Sequence, residues 1–201
     1  MKNARQVFLI RHPKPDIASG ICYGSSDVSP EPIALKQAFE WLDTYLPRDA
    51  QIITSPLARC AQLASKLSAQ VQRRCTFDAR LAERHCGAWE LQPWDQVPRV
   101  ELDAWAADFM DYSAPGAESV RQLQTRVLTA WQELIEEGTQ QAIVLITHAG
   151  PIQVILAHLT GAPIRTTPVV EIVCGAIVVL NQKTDNATRW DFRVATSASH
   201  N

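Results

Sequence analysis

Three short apolar runs, each followed by a helical pattern, set the tightest limit on what this chain can fold into. Gln6-Val7-Phe8-Leu9-Ile10, Ala50 to Thr54 and Ala142 to Thr147 read as buried strands, because they are short, apolar and bounded by turn residues. Between them, Ser29-Pro30 and Ser55-Pro56 each offer an N-cap followed by proline at the first helical position. Ile33, Leu35, Phe39, Leu42 and Leu46 follow the first signal at helical spacing; Leu57, Cys60, Ala61, Ala64 and Leu67 follow the second. Glu118 to Glu136 is a long amphipathic helix, and Gly150-Pro151 opens another that ends near Gly161. Val169 to Leu180 reads as one or two strands broken near Gly175, Trp190 to Val194 as an edge strand, and Thr196 to Asn201 as a tail. Strands alternating with helices predict an α/β fold: three layers, α/β/α, around a mostly parallel sheet.

With 201 residues and no linker or repeat, the chain predicts one domain, 1–201, with a short cap-like segment at about 88–117 that carries Trp89, Trp94 and Trp105. A net charge of -2 gives no field suited to nucleic acid or acidic lipid. No stretch approaches the roughly 20 apolar residues that span a bilayer, and no basic segment leads into an apolar one at the N-terminus. Five cysteines without a C-x-x-C argue against a disulfide framework or a zinc site and for a reducing cytoplasm. Neither nucleic acid nor a membrane is therefore the expected partner, and a homodimer is left open; that the partner is a small phosphorylated metabolite is an expectation from the groups at the strand ends, not from composition.

The polar groups at the strand ends point to the chemistry. The first strand ends at Arg11-His12, the second at Thr54-Ser55 with Arg59 in the next helical turn, and the third at Thr147-His148. In open α/β sheets, ligands bind at the carboxyl ends of the strands. If these strands are parallel neighbours, two imidazoles, two guanidiniums and two helix N-termini meet there, a setting for a phosphate dianion. The arginine charges would depress the pKa of His12 and keep it a neutral nucleophile. Arg11, Arg59 and His148 could neutralise the equatorial oxygens of a phosphoryl group, and the leaving alcohol would need a nearby carboxylic acid. Other classes fit poorly. Six residues after the cysteines stand Val28, Lys66, Leu81, Gln92 and Leu180, so no C-x5-R exists. The glycines are scattered, and neither H-x-x-x-H nor H-E-x-x-H occurs. A phosphate-binding module without turnover remains the non-enzyme alternative.

These residues resemble the histidine phosphatase superfamily, with its phosphoglycerate mutase-like fold. Arg11-His12-Pro13 resembles its Arg-His-Gly signature, Ser55-Pro56-Leu57-Ala58-Arg59 its Ser-Pro-x-x-Arg segment, and Leu81-Ala82-Glu83 its Leu-x-Glu, ahead of Gly87-Ala88-Trp89-Glu90. Thr147-His148-Ala149-Gly150 resembles the turn of the second histidine, and Pro115-Gly116-Ala117-Glu118-Ser119 a Pro-Gly-Gly-Glu-Ser helix start. The resemblance implies that His12 is phosphorylated, that Glu83 donates the proton, that Arg11, Arg59 and His148 bind phosphate, and that no cofactor or metal is needed. It also implies substrate contacts from Tyr23, Gly24 and Arg84. Pro13 and Ala149 stand where the family has glycine, and Lys14-Pro15-Asp16-Ile17-Ala18 replaces the usual Thr-Glu-x-x-Asn stretch. The segment 91–117 carries Arg99 against Asp95, Glu101, Asp103, Asp108 and Asp111, which suits a phosphatase better than a mutase. Gly20-Ile21-Cys22-Tyr23-Gly24, then Ser26-Asp27-Val28, resembles the α-ribazole phosphatase branch and implies a 5′-phosphate of α-ribazole, from cobalamin biosynthesis, as substrate. A phosphoglycerate mutase-like isomerase or a general sugar-phosphate phosphatase is the alternative.

Overall fold

A computed structural model describes residues 5–71, 75–136, 142–166, 172–183 and 189–196. In chain order the elements are β1 (Gln6–Arg11), β2 (Ile21–Cys22), α1 (Pro32–Tyr45), β3 (Gln51–Thr54), α2 (Ala58–Val71), β4 (Cys75–Phe77), β5 (Gln92–Pro93), α3 (Arg99–Ala107), α4 (Val120–Glu136), β6 (Ile143–Thr147), α5 (Ala149–Thr160), β7 (Ile177–Gln182) and β8 (Trp190–Ala195). The main sheet runs β4-β3-β6-β1-β7-β8. Its first four strands are parallel, whereas β7 and β8 run antiparallel to the strands beside them. A mostly parallel sheet buried on both faces explains why β1 and β6 read as unbroken apolar runs rather than alternating ones.

Successive strand residues point to opposite faces and split the core in two. Val7 and Leu9 of β1, with Ile143 and Leu145 of β6, pack against Leu123, Val127, Ala130 and Trp131 of α4 and Ile152 and Ile155 of α5. Phe8, Ile10, Val144 and Ile146 face Leu35, Ala38 and Leu42 of α1 and Cys60, Leu63, Ala64 and Leu67 of α2. The helix starts depart from the sequence reading in detail. Helix α1 begins at Pro32 rather than Pro30, because residues 29–31 pair with 14–16: Asp16 N–H donates to Ser29 O, and Glu31 N–H to Lys14 O. Helix α4 begins at Val120, where Ser119 and Gln122 form a reciprocal capping box: Ser119 N–H donates to Gln122 Oε1, and Gln122 N–H to Ser119 Oγ. In α2, Leu63 is a core position in addition to those expected, and Ala61 is only half-buried. Gly175 forms a turn ahead of β7, whereas Val169 to Glu171 and Ser197 to Asn201 lie outside the described residues. The edge strand expected at 190–194 is β8.

A third, small cluster of Cys22, Cys86, Trp89, Val97 and Ala114 sits apart from the two main cores. It joins the β2–β5 pair, in which Ile21 opposes Pro93, to the segment leading to α4. Trp89 is its centre: the ring is buried, meets Trp94, Trp105 and Tyr112, and donates its indole N–H to Glu101 Oε2 at 2.6 Å. The segment 86–117 is more ordered than its sequence suggests, since it contains α3.

Because Leu145 fills the centre of the α4–α5 face, Leu145→Ala should cost about 2–5 kcal/mol of stability, read as a lower urea midpoint with an unchanged slope.

Candidate active site

The register decides where the reactive groups stand. Arg11 of β1 lies opposite Thr147 of β6, and Ile146 lies opposite Thr54 of β3, so three parallel strands end side by side. The ladder continues one residue beyond the strands: His12 N–H donates to Thr147 O at 3.0 Å and Ser55 N–H to Ile146 O at 2.9 Å. Those bonds fix the backbone of His12 and Ser55, and His148 follows as the residue that caps α5. The expected meeting of Arg11, His12, Arg59 and His148 at one sheet edge is therefore realised.

Hydrogen bonds set the protonation of both imidazoles. His12 is 1% exposed, and its Nδ1 lies 2.7 Å from Pro13 O. A carbonyl can only accept, so Nδ1 carries the proton and Nε2 keeps its lone pair. Proline at position 13 thus removes a backbone N–H but leaves the carbonyl that orients the ring. Burial above all, then the charges of Arg59 and Arg11, push His12 down to about 3, against the upward pull of the Pro13 carbonyl. The sequence argument names the arginines; desolvation is the larger cause. His148 lies with its ring centroid 5.1 Å from that of His12. Arg59 Nε donates to His148 Nδ1 at 3.2 Å, so the proton of His148 sits on Nε2, 2.8 Å from Ser55 Oγ. Burial, then the neighbouring His12, Arg59, Arg11 and Arg126, holds His148 well below its ordinary value.

Arg59 is fully buried. Besides the bond to His148, its Nη1 donates to Ser26 O at 2.8 Å and its Nη2 to Gly24 O at 2.7 Å. A guanidinium has five N–H groups, which leaves two of them for an anion. Tyr23 lies under its plane at 5.1 Å and meets the His12 ring edge-on. Arg11 donates through Nη1 to Ile172 O at 2.7 Å, and its buried Nε has no partner among the described residues.

Glu83 reaches the same place from the other side. Its Oε2 accepts from Gly150 N–H at 3.2 Å in the first turn of α5, and its Oε1 accepts from Arg84 N–H at 2.9 Å. A Cβ on Gly150 would collide with Glu83 Oε1, whereas the neighbouring position tolerates Ala149. Glycine at position 150 therefore leaves the space that the Glu83 carboxylate occupies. Arg126, which the sequence reading passed over, secures the segment: Nη1 donates to Arg80 O and Ala82 O, Nη2 to Glu83 O, and Glu118 pairs with the guanidinium. Its only signal was a cation on the inward side of an apolar helix.

A cavity of about 270 Å3 opens beside Glu83, walled by Ile21, Cys22, Tyr23, Arg84, Trp94 and Trp105. Trp94 is 40% exposed, and Arg84 lies over the Trp105 ring at 5.8 Å. A larger cavity of about 430 Å3 lies behind Ile53, Trp131 and Leu145; Arg80, its cation, is paired with Asp78 and Glu133, and no histidine or cysteine lines it among the described residues. The strand-end site, with its neutral imidazoles and donors, can hold a tetrahedral anion and attack it. Among the described residues no three His, Cys, Asp or Glu side chains gather as metal ligands, and no helix is long and apolar enough to cross a membrane.

Comparison with known proteins bears on the family and the fold. A family model described as the histidine phosphatase superfamily (branch 1) matches residues 7–192. A glucosyl-3-phosphoglycerate phosphatase of Mycolicibacterium vanbaalenii is 26% identical over 178 residues, covering 82% of this chain and 78% of its own. Among solved structures, the α-ribazole phosphatase of Shigella flexneri superposes with a TM-score of 0.82 at 22% identity, over 96% of each chain. A mycobacterial glucosyl-3-phosphoglycerate phosphatase superposes with a TM-score of 0.78 at 23% identity, over 96% of this chain and 98% of that one.

Two outcomes follow from the geometry. The folded state excludes a proton from His12 that the unfolded chain takes up below about pH 6.5, so stability is level above that pH and falls as pH drops toward 3. Between pH 6.5 and 5 the His12 contribution is roughly 2 kcal/mol, seen in urea melts as a slope that His12→Asn makes shallower, the rest coming from His148, which is depressed in the same direction. Gly150→Ala should displace the Glu83 carboxylate and lower kcat about tenfold or more with little change in melting temperature.

Proposed function

We propose, for a chain that belongs to the histidine phosphatase superfamily (branch 1) and is a phosphatase, a two-step hydrolysis of a phosphomonoester through a phosphohistidine on His12. The observation that carries this reading is the tautomer of His12: the Pro13 carbonyl holds the proton on Nδ1 and leaves the Nε2 lone pair to attack. In the first step a bond forms from Nε2 to phosphorus and the bond from phosphorus to the leaving oxygen breaks. Glu83, as the carboxylic acid, gives that oxygen its proton. The two remaining N–H groups of Arg59, together with Arg11, stabilise the equatorial oxygens as charge spreads over them, while His148, whose Nδ1 accepts from Arg59 Nε and whose Nε2–H faces Ser55 Oγ, orients that guanidinium. In the second step water attacks phosphorus, Glu83 takes a proton from it, and the Nε2–phosphorus bond breaks to give inorganic phosphate and restored His12. No step calls for a metal.

The substrate in this reading is a small metabolite of the cytoplasm whose leaving alcohol carries a planar apolar group, with α-ribazole 5′-phosphate of cobalamin biosynthesis as the favoured candidate. The cavity beside Glu83 supports it, because Trp94, Trp105 and Tyr23 offer ring faces and edges to a stacked base. Arg84 favours a second reading. Its charge in the same wall would suit a leaving group with a carboxylate, as in a phosphoglycerate-type ester. Neither nucleic acid nor membrane enters the reaction.

His12→Ala should abolish phosphate release, and Glu83→Gln should slow hydrolysis of alkyl phosphates by roughly 10²–10⁴. The measurement is phosphate release from a panel that includes α-ribazole 5′-phosphate, glucosyl-3-phosphoglycerate and 3-phosphoglycerate, with chelator present. Full activity in His12→Ala would refute the mechanism, and a preference for the glycerate esters that Arg84→Ala removes would refute the ribazole assignment.

A further inference from the structure

Glu90 lies outside the reacting set, yet more hydrogen bonds converge on its carboxylate than on any group that the phosphatase mechanism uses. Oε1 accepts from Ser25 N–H at 2.8 Å, from Ser25 Oγ–H at 3.0 Å and from Cys86 N–H at 2.8 Å, and Oε2 accepts from Ser26 Oγ–H. The donors come from two separate parts of the chain: the turn after β2, and the segment that follows Glu83. Burial pushes the Glu90 carboxyl up, but the bonds from Ser26, Cys86 and Ser25 outweigh it and hold it below the ordinary carboxylate value, as a fixed anion.

The turn that Glu90 holds is the turn that holds Arg59. Gly24 O and Ser26 O, on either side of Ser25, are the carbonyls that receive Arg59 Nη2 and Nη1. Gly24 has a φ of +38°, and a Cβ there would stand 2.5 Å from Glu90 Oε1 and 2.9 Å from Arg84 O, so the backbone wraps closely over the carboxylate. Arg59 in turn donates to His148 Nδ1. A continuous chain of contacts therefore runs from Glu90 through the 23–26 turn to Arg59 and on to His148. Without the carboxylate, two backbone N–H groups and two hydroxyls lose their acceptor, and the turn is left tied to the segment that follows Glu83 through its neighbour Cys22, whose carbonyl accepts from Leu91 N–H.

We propose that Glu90 is a positioning residue of the phosphate site, whose carboxylate pins the turn at Tyr23–Ser26 so that the Gly24 and Ser26 carbonyls aim the Arg59 guanidinium. This rests on the phosphatase reading. It adds that phosphate recognition by Arg59 is built from the same staple that holds one wall of the leaving-group cavity, since Tyr23, Gly24 and Cys86 all line that cavity. Disturbing the staple then weakens the grip on phosphate itself, and not only the fit of the leaving group.

The test is a double-mutant cycle on the full chain with two probes: hydrolysis of p-nitrophenyl phosphate, and binding of orthovanadate and inorganic phosphate followed by calorimetry. Glu90→Ala should lower kcat/KM by about 10²-fold and weaken vanadate binding by a similar factor. Glu90→Gln should recover most of both losses, because its amide oxygen can still accept from Ser25 N–H, Ser25 Oγ–H and Cys86 N–H. In an Arg59→Ala background, Glu90→Ala should change vanadate binding by no more than about twofold, since the residue through which it acts is gone. Should Glu90→Ala fail to fold by circular dichroism, Glu90→Asp, which withdraws the carboxylate by one methylene, takes its place in the cycle. Losses that multiply independently in the double variant, or lost turnover with unchanged vanadate affinity, overturn the positioning role while leaving the phosphatase intact. A wild-type chain that neither hydrolyses the ester nor binds phosphate overturns the phosphatase reading and this inference with it.

Discussion

Everything at the site depends on the parallel pairing of β1, β6 and β3 in one register. Arg11 stands opposite Thr147, and Thr54 opposite Ile146, so three strands stop at the same level. A slip of one residue would turn every side chain to the other face of the sheet. Val7 and Leu9 would then leave the α4–α5 core, and His12 would lose the backbone bond to Thr147 that fixes its height. The hydrophobic core and the reactive groups are thus set by one constraint. The unbroken apolar runs that bury β1 and β6 on both faces also deliver His12 and His148 to one place, with ring centroids 5.1 Å apart.

Burial at this edge has an electrostatic consequence. Two imidazoles and a guanidinium are removed from water together, and only the guanidinium keeps its charge. Desolvation and the arginine charges act in the same direction on His12 and His148, leaving both neutral. The cost is met locally, because each ring and the Arg59 fork have polar partners: the carbonyls of Pro13, Gly24 and Ser26, and the Ser55 hydroxyl. A tetrahedral dianion fits such a site because it brings the negative charge that Arg11 and Arg59 lack.

Glu83 approaches from the opposite side by a different device. Glu83 is carried by an irregular segment rather than by a strand end, and Arg126 gathers the carbonyls of Arg80, Ala82 and Glu83 around one guanidinium. The missing side chain of Gly150 lets the carboxylate touch the start of α5. Pro13 and Ala149, where the family has glycine, leave these contacts intact, because the site uses a carbonyl at the first position and a glycine one residue after the second.

Much of this was legible in the sequence. Short apolar runs, proline-marked helix starts and polar residues placed just past the strands are local patterns, and local patterns report strands, helices and strand ends. The same patterns place Arg11, His12, Arg59 and His148. They could not show that Glu90 would meet Ser25 and Ser26, 65 and 64 residues away, or that Arg126 would reach back to Ala82, because neither pairing leaves a periodic trace. They also set α1 two residues early, since the pairing of 29–31 with 14–16 is a long-range contact. By itself the sequence determined the layers, the sheet edge and the candidate reacting groups, through hydrophobic periodicity and turn chemistry. Only the tertiary structure decided the tautomers, the depth of burial that neutralises the histidines and the staple around Arg59, because each depends on which distant carbonyl or carboxylate lies within hydrogen-bonding reach.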